Sequence, residues 1–151
     1  MSRHRRPPRD PFNALLSLGY TLLHGYVDSV NRAVGFLPWQ GFYHVARGSH
    51  PALASDLVEP FRHVVERVAL KLLLSEELSR EDFSATPAGA CIIANPVRRQ
   101  FLTNLTQRLE QPVKSRGAEV AQRHLDHMHE QALSLLACVR DGEPFRAFRL
   151  R

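Results

Sequence analysis

Apolar residues recur at threes and fours over most of this chain, the period of a helix with one buried face. Over residues 11–34 the spacing is kept by Leu15, Leu16, Leu22, Leu23, Tyr26, Val30 and Val34. Asp10-Pro11 opens this stretch as an N-cap followed by proline at the first helical position, and Gly35 supplies the stop. Residues 36–49 lose the period, and Pro38, Gly41 and Gly48 punctuate a loop. A second helical stretch is expected from near Pro51, past Pro60, to about Leu78, with Phe61, Val64, Val65, Val68, Leu72 and Leu73 on its apolar face. Pro60 cannot donate a backbone bond, and its ring crowds the carbonyl of Asp56. A kink or break that frees backbone carbonyls is therefore expected there.

Between residues 79 and 94 the pattern changes. Phe83 and the run Cys91-Ile92-Ile93, separated by Pro87 and Gly89, predict a short hairpin. Asn95-Pro96 then caps a third helix through Gln111, with Phe101, Leu102, Leu105 and Leu109 inward and Pro112 ending it. A fourth helix is expected over about 118–140, carrying Val120, Leu125, Met128, Ala132, Leu135, Leu136 and Val139, and Gly142 stops it. The predicted fold is mainly α, a helical bundle-like domain with at most one short β-hairpin. The expected organisation over residues 1–151 is a basic arm (1–9), a helical core (10–140) and a basic tail (141–151).

A length of 151 residues suits one domain with a real core, and 44% apolar with 23% charged residues is the balance of a soluble globular protein. The net charge of +5 favours an anionic partner, nucleic acid foremost, without bearing on the fold. Arg3, Arg5, Arg6 and Arg9 ahead of an apolar stretch imitate an export signal. Asn13 interrupts that stretch, and Asp28, Asn31 and Arg32 end it short of the ~20 apolar residues of a membrane span. Cys91 and Cys138 form neither a zinc spacing nor a disulfide framework, so a reduced, cytoplasmic setting without a membrane partner is expected. The absence of a Gly-rich phosphate loop, a nucleophile elbow or paired CxxC leaves nucleotide hydrolysis, serine hydrolase chemistry and zinc fingers without support.

The candidate chemistry lies in residues 41–62, GFYHVARGSHPALASDLVEPFR. His44 precedes two carboxylates, Asp56 and Glu59, which are three apart and would share a helix face. Alone, His44 reads as a hydrogen-bonded structural residue, and the carboxylates as a solvated face. Together with Pro60, Arg47 and Arg62 they fit a structural cluster and a metal site equally well. In the sharper reading His44 and Glu59 hold Mg²⁺ or Mn²⁺, Arg47 and Arg62 meet phosphate oxygens, and a third ligand or DNA phosphate completes the shell. His50 and His63 are candidates to support that site. His124 and His127 share a helix face, but His129 does not, and without an HExxH pattern a solvated face is expected. Arginine and aromatic residues interleave at 145–149, which suits phosphate contact as well as a merely solubilising tail.

These motifs carry a resemblance. RRPPRDPFNALLSLGYTLL and GFYHVARGSHPALASDLVEPFR, followed in order by EDFSATPAGACIIA, RRQFLTNLTQRLEQPV and EPFRAFRLR, resemble the C-terminal helical domain of the CRISPR adaptation integrase, the first of the Cas proteins. The resemblance implies a metal-dependent DNA endonuclease and integrase. With the second Cas protein of the adaptation complex, it inserts short foreign DNA spacers into the CRISPR array by 3′-hydroxyl attack on a repeat-end phosphodiester. It also implies a metal site of a glutamate, a histidine and a later acid. By motif position the last two correspond to His44 and Glu59, and Asp56 takes a supporting role. DNA contacts are expected from Arg3, Arg5, Arg6, Arg47 and Arg62. The family's first glutamate and its β-rich N-terminal dimerisation domain precede the first matching motif. The chain is therefore expected to be a fragment, a truncated product, or one half of a split protein whose other half comes from a separate chain. The alternatives are a non-catalytic DNA-binding or assembly module derived from that domain, and a basic helical protein unrelated to CRISPR.

Overall fold

The structure is a computed structural model, and it describes residues 7–45, 48, 50–75 and 77–150. The first helix (α1, Pro11–Ala33) begins where the sequence places it. Asp10 Oδ1 accepts the Asn13 N–H at 2.9 Å and Oδ2 accepts the Asn13 side-chain amide at 2.8 Å. The buried strip of α1 runs through Leu15, Gly19, Leu23, Val27 and Asn31, one residue every fourth position. Leu16, Leu22 and Tyr26, expected inside, flank that strip half-buried. Gly19 is where two later helices approach closely: a Cβ there would overlap Val65 Cγ1 and meet the Phe101 ring.

The chain then breaks at Pro60 as its chemistry requires. A short helix (α2, Ala52–Leu57) passes through a 3-10 turn (Glu59–Phe61) into α3 (Arg62–Leu74). In the turn the Phe61 N–H bonds to Val58 O at 3.0 Å rather than to Leu57 O. α3 ends four residues before the expected Leu78, because Ser75 turns both its N–H and its hydroxyl back onto the last turn.

The predicted hairpin is present as β1 (Phe83–Ala85) and β2 (Cys91–Ile93), paired antiparallel with Phe83 opposite Ile93. The Pro8 carbonyl accepts the Cys91 N–H at 2.8 Å, so the end of the arm is tied to the hairpin edge. The next helix (α4, Asn95–Glu110) has Ala94 at its cap position, Asn95 and Pro96 already inside it, and no side-chain cap bond. Its inward residues are Val97, Phe101, Leu105 and Leu109.

The last helix (α5, His124–Asp141) starts six residues later than the expected 118. Arg123 sets the start. Its backbone N–H and guanidinium bond to Asp126 while the guanidinium also reaches Glu110 at 3.0 Å. Ahead of it a two-residue ladder, β3 (Pro112–Val113) with β4 (Gln122–Arg123), adds a second small strand pair to the predicted one. Val120, expected inside, is therefore exposed, as is Val139. Gly142 at φ 75° ends α5 in the left-handed region, as predicted.

The architecture is thus mainly α with two small antiparallel pairs, around a core of Phe61, Phe101, Leu15, Leu23, Leu53, Leu105 and Leu109. The tail folds back onto it. Phe148 is buried, stacks on Phe61 at 4.8 Å between centroids, and gives its N–H to Gln131 Oε1 at 2.9 Å. Among the described residues no helix is long and apolar enough to cross a membrane.

Candidate functional site

The break at Pro60 separates two carboxylates that an unbroken helix would have set side by side. Asp56, on α2, points into the preceding loop and is only 4% exposed. It accepts the N–H groups of Phe42, Tyr43 (3.2 Å) and His44 (3.1 Å), and His44 Nδ1 at 2.6 Å. Burial alone would raise the Asp56 carboxyl. The four hydrogen bonds, His44's first, outweigh it and hold the group below the usual carboxylate value. Gly41 makes this closure feasible, since a Cβ there would lie 2.5 Å from His44 O and 2.9 Å from Asp56 Oδ2.

Glu59, in the 3-10 turn, faces outward and pairs through Oε1 with Arg62 Nη1 at 2.8 Å. The Arg62 guanidinium lies 4.3 Å over the Tyr20 ring, and the Tyr20 hydroxyl donates to Glu66 at 2.8 Å. These bonds to Glu59 and Tyr20 raise the already high pKa of Arg62. Burial, followed by the bond to Glu66, raises that of the Tyr20 phenol.

His44, Glu59 and Arg62 thereby line one cleft of about 250 Å³ together with Tyr20, His24 and Ser55. Tyr20 and His24 escaped the sequence reading. Their spacing of four on α1 puts them on one face, but nothing in the spacing says what that face meets. His50 joins the margin of the site: it and His24 both reach Ser55 Oγ, at 2.9 and 3.1 Å, and their rings stack at 5.0 Å. His63 does not. Its Nδ1 donates to Pro60 O at 2.9 Å and its ring lies 6.2 Å from that of His124, in another part of the molecule. Arg3, Arg5, Arg6 and Arg47 lie outside the described residues.

The histidines of α5 overturn the expectation of a solvated face. His124 and His127 are buried, and Phe148 covers both, 6.3 and 4.7 Å from their rings. The tail supplies the cover, and α5 turns these residues inward beside Met128, Gln131 and Ala132. Only His129 remains exposed.

With Nδ1 on Asp56, His44 keeps Nε2 for another partner, and Glu59 keeps Oε2. One imidazole nitrogen and one carboxylate oxygen fit Mg²⁺ or Mn²⁺ as part of a shell. Among the described residues no group of three His, Cys, Asp or Glu side chains gathers to hold a metal ion.

Fold and cleft together define a helical domain whose cleft is lined by a carboxylate-anchored histidine and an arginine. Residues 1–107 match the family described as CRISPR associated protein Cas1. The chain is 40% identical over 113 residues to a CRISPR-associated exonuclease Cas4/endonuclease Cas1 fusion of Geobacter sulfurreducens, which covers 74% of this chain and 20% of that protein. It is 42% identical over 110 residues to a CRISPR-associated endonuclease Cas1 of Rhodospirillum rubrum, covering 72% of this chain and 32% of the relative. A solved partial Cas6-RT-Cas1–Cas2 complex superposes with a TM-score of 0.81 at 32% identity over 98% of this chain and 45% of that one. This chain belongs to the Cas1 family. It spans about a fifth to a third of the two curated relatives.

Proposed function

We propose that this chain is the metal-dependent DNA endonuclease and integrase domain of CRISPR adaptation. It acts on short foreign DNA and on the CRISPR repeat, in the cytoplasm, alongside the second Cas protein. The observation that carries the reading is the placement of His44, Glu59 and Arg62 around one cleft, with the His44 ring anchored by buried Asp56.

In this reading the 3′-oxygen of the incoming DNA forms a new bond to a repeat phosphorus. The bond from that phosphorus to the repeat's own 3′-oxygen breaks, and the proton lost by the attacking hydroxyl is balanced by the one gained by the leaving oxygen. Asp56 keeps the His44 proton on Nδ1, so the Nε2 lone pair faces outward from the anchor. His44 Nε2 and Glu59 would hold Mg²⁺ or Mn²⁺, which when bound supplies Lewis-acid polarisation of the phosphate. Arg62, braced on Tyr20, is placed to exchange its exposed bond with Glu59 for a phosphate oxygen. A third ligand, from outside the described residues or from a DNA phosphate oxygen, would complete the shell.

A second reading, a non-catalytic DNA-binding or assembly module, is favoured by the two-ligand cleft of the described residues. Strand transfer of a short duplex into repeat DNA with Mn²⁺, run beside Glu59→Ala, decides between them. Product from the parent chain that disappears in the variant supports the enzyme. No product from either, with DNA binding intact, supports the module.

A further inference from the structure

The arginines of the tail have no part in that chemistry, yet the fold gathers them. The tail lies back along α5 and is held by its backbone. Arg146 N–H donates to Ser134 Oγ at 2.8 Å, Phe148 N–H to Gln131, and Arg116 N–H to the Arg149 carbonyl at 2.7 Å. A bridge between Ser115 and Leu150 extends the last contact. Arg116, from the segment between β3 and β4, is thus brought to Arg146 and Arg149 around a cleft of about 440 Å³.

Among the described residues, none of these three guanidiniums has a carboxylate partner, whereas Arg32, Arg62 and Arg140 each pair with one and Arg123 with two. The acid in the cleft wall is Glu130, which already accepts the Gln122 amide at 2.6 Å and faces His127 Nδ1 at 3.3 Å. The cleft is walled by the Ser115 and Ser134 hydroxyls and floored by buried His127 and Gln131. Backbone bonds therefore hold three like charges around a cleft whose one lining carboxylate, Glu130, is bonded to other side chains. An anion with several oxygens answers such a cluster, since each guanidinium presents a planar fork of donors.

We propose that this cleft is a second phosphate site, taking the phosphodiester backbone of DNA at a place separate from the His44 cleft. The proposal rests on the reading above that the ligand is DNA. It deepens that reading by assigning part of the affinity to the closing tail.

The test titrates a labelled short duplex into the whole chain over a salt series. The parent is compared with Arg116→Gln/Arg149→Gln, with Arg116→Lys/Arg149→Lys, and with Arg140→Gln, an exposed arginine that does not line the cleft. Expected for the glutamine pair is binding weaker by about tenfold or more at low salt, with the log–log salt slope reduced by about 1.8 for two lost contacts. The lysine pair should keep the slope and lose part of the affinity. Arg140→Gln should match the parent, and all variants should melt close to it, because Arg116 and Arg149 are held by their backbones and Arg140 loses only an exposed pair with its neighbour Asp141. A glutamine pair with parental affinity and slope overturns the proposal and leaves the arginines to an acidic protein surface. Loss of competition by inorganic phosphate without loss of DNA affinity also overturns it, in favour of a small free anion. Binding is read without turnover, so a parent chain that binds DNA but gives no strand-transfer product defeats the catalytic reading alone. A parent chain that does not bind DNA defeats both.

Discussion

Both oxygens of Asp56 accept from the 42–44 turn, and Nδ1 of His44 is among the donors. The ring thus has its orientation and its tautomer set by one buried carboxylate. Asp56→Asn keeps the shape but removes the charge, and one of its two acceptor atoms becomes a donor facing N–H groups. Hydrogen bonds to a charged group are each worth about 1.5–3 kcal/mol, so a stability loss of about 2 kcal/mol or more is expected in thermal unfolding. Nitrogen NMR of the His44 ring should show Nδ1–H in the parent at neutral pH and a mixture of tautomers in the variant. A parent ring protonated at Nε2 instead would refute the anchoring. Asp56 is held below its ordinary value in the folded chain, so its contribution is complete above about 4, the ordinary carboxylate range. It is lost as pH falls through the lower folded value.

At the scale of elements, the junction of α2 and α3 shows what an interrupted helix demands. The 3-10 turn draws the Phe61 N–H to Val58, which deprives the Leu57 carbonyl of its helical donor. Gln131 of α5 meets that carbonyl at 2.9 Å and, with its oxygen, takes the Phe148 N–H. One buried amide thus ties the turn that carries Glu59 to the closing tail. Gln131→Leu would leave a buried acceptor and a buried donor unpaired, at about 1–3 kcal/mol each. The unfolding midpoint should fall by roughly 4–8 °C or more for a chain of this size. Gln131→Glu should also be destabilised, since a carboxylate would face the Leu57 carbonyl; a parental midpoint in both variants would refute the tie.

The break was legible because proline's missing N–H acts locally. The same locality made the hairpin legible, and the grouping of His44, Asp56, Glu59 and Arg62 within one short stretch. The inward roles of Gln131, His124 and His127 were not legible. A period count scores polar residues as outward, and nothing near them in sequence announces the tail that covers them. Tyr20 and His24 were hidden for a related reason, because their place in the cleft depends on how α1 crosses α2 and α3.

On the scale of the whole molecule, the same tail makes stability sensitive to acid well above the range where carboxylates protonate. His124 is wholly buried, and among the described residues neither ring nitrogen has a hydrogen-bond partner of good geometry. Burial depresses its pKa from 6.5 to about 4, and the positive charges of Arg108, His63 and His127 add to the effect; the Arg108 backbone opposes it only weakly. His63, on α3, is shifted in the same direction, again chiefly by burial. The folded chain therefore binds fewer protons here than the unfolded one. Above the unfolded value both forms are neutral and His124 imposes no penalty. As pH falls from about 6.5 towards 4, the unfolded chain gains a proton that the folded chain refuses, and stability drops by up to about 3 kcal/mol. His124→Leu should flatten that part of the profile while leaving the steeper loss below pH 4, where Asp56 protonates, in place. Unfolding midpoints of parent and variant at successive pH values between 7 and 3.5 cover the His124 window and reach the onset of the carboxylate one. Parallel curves through the upper window would mean that His124 finds water or a partner when charged. The tail would then open with acid instead of holding the ring neutral.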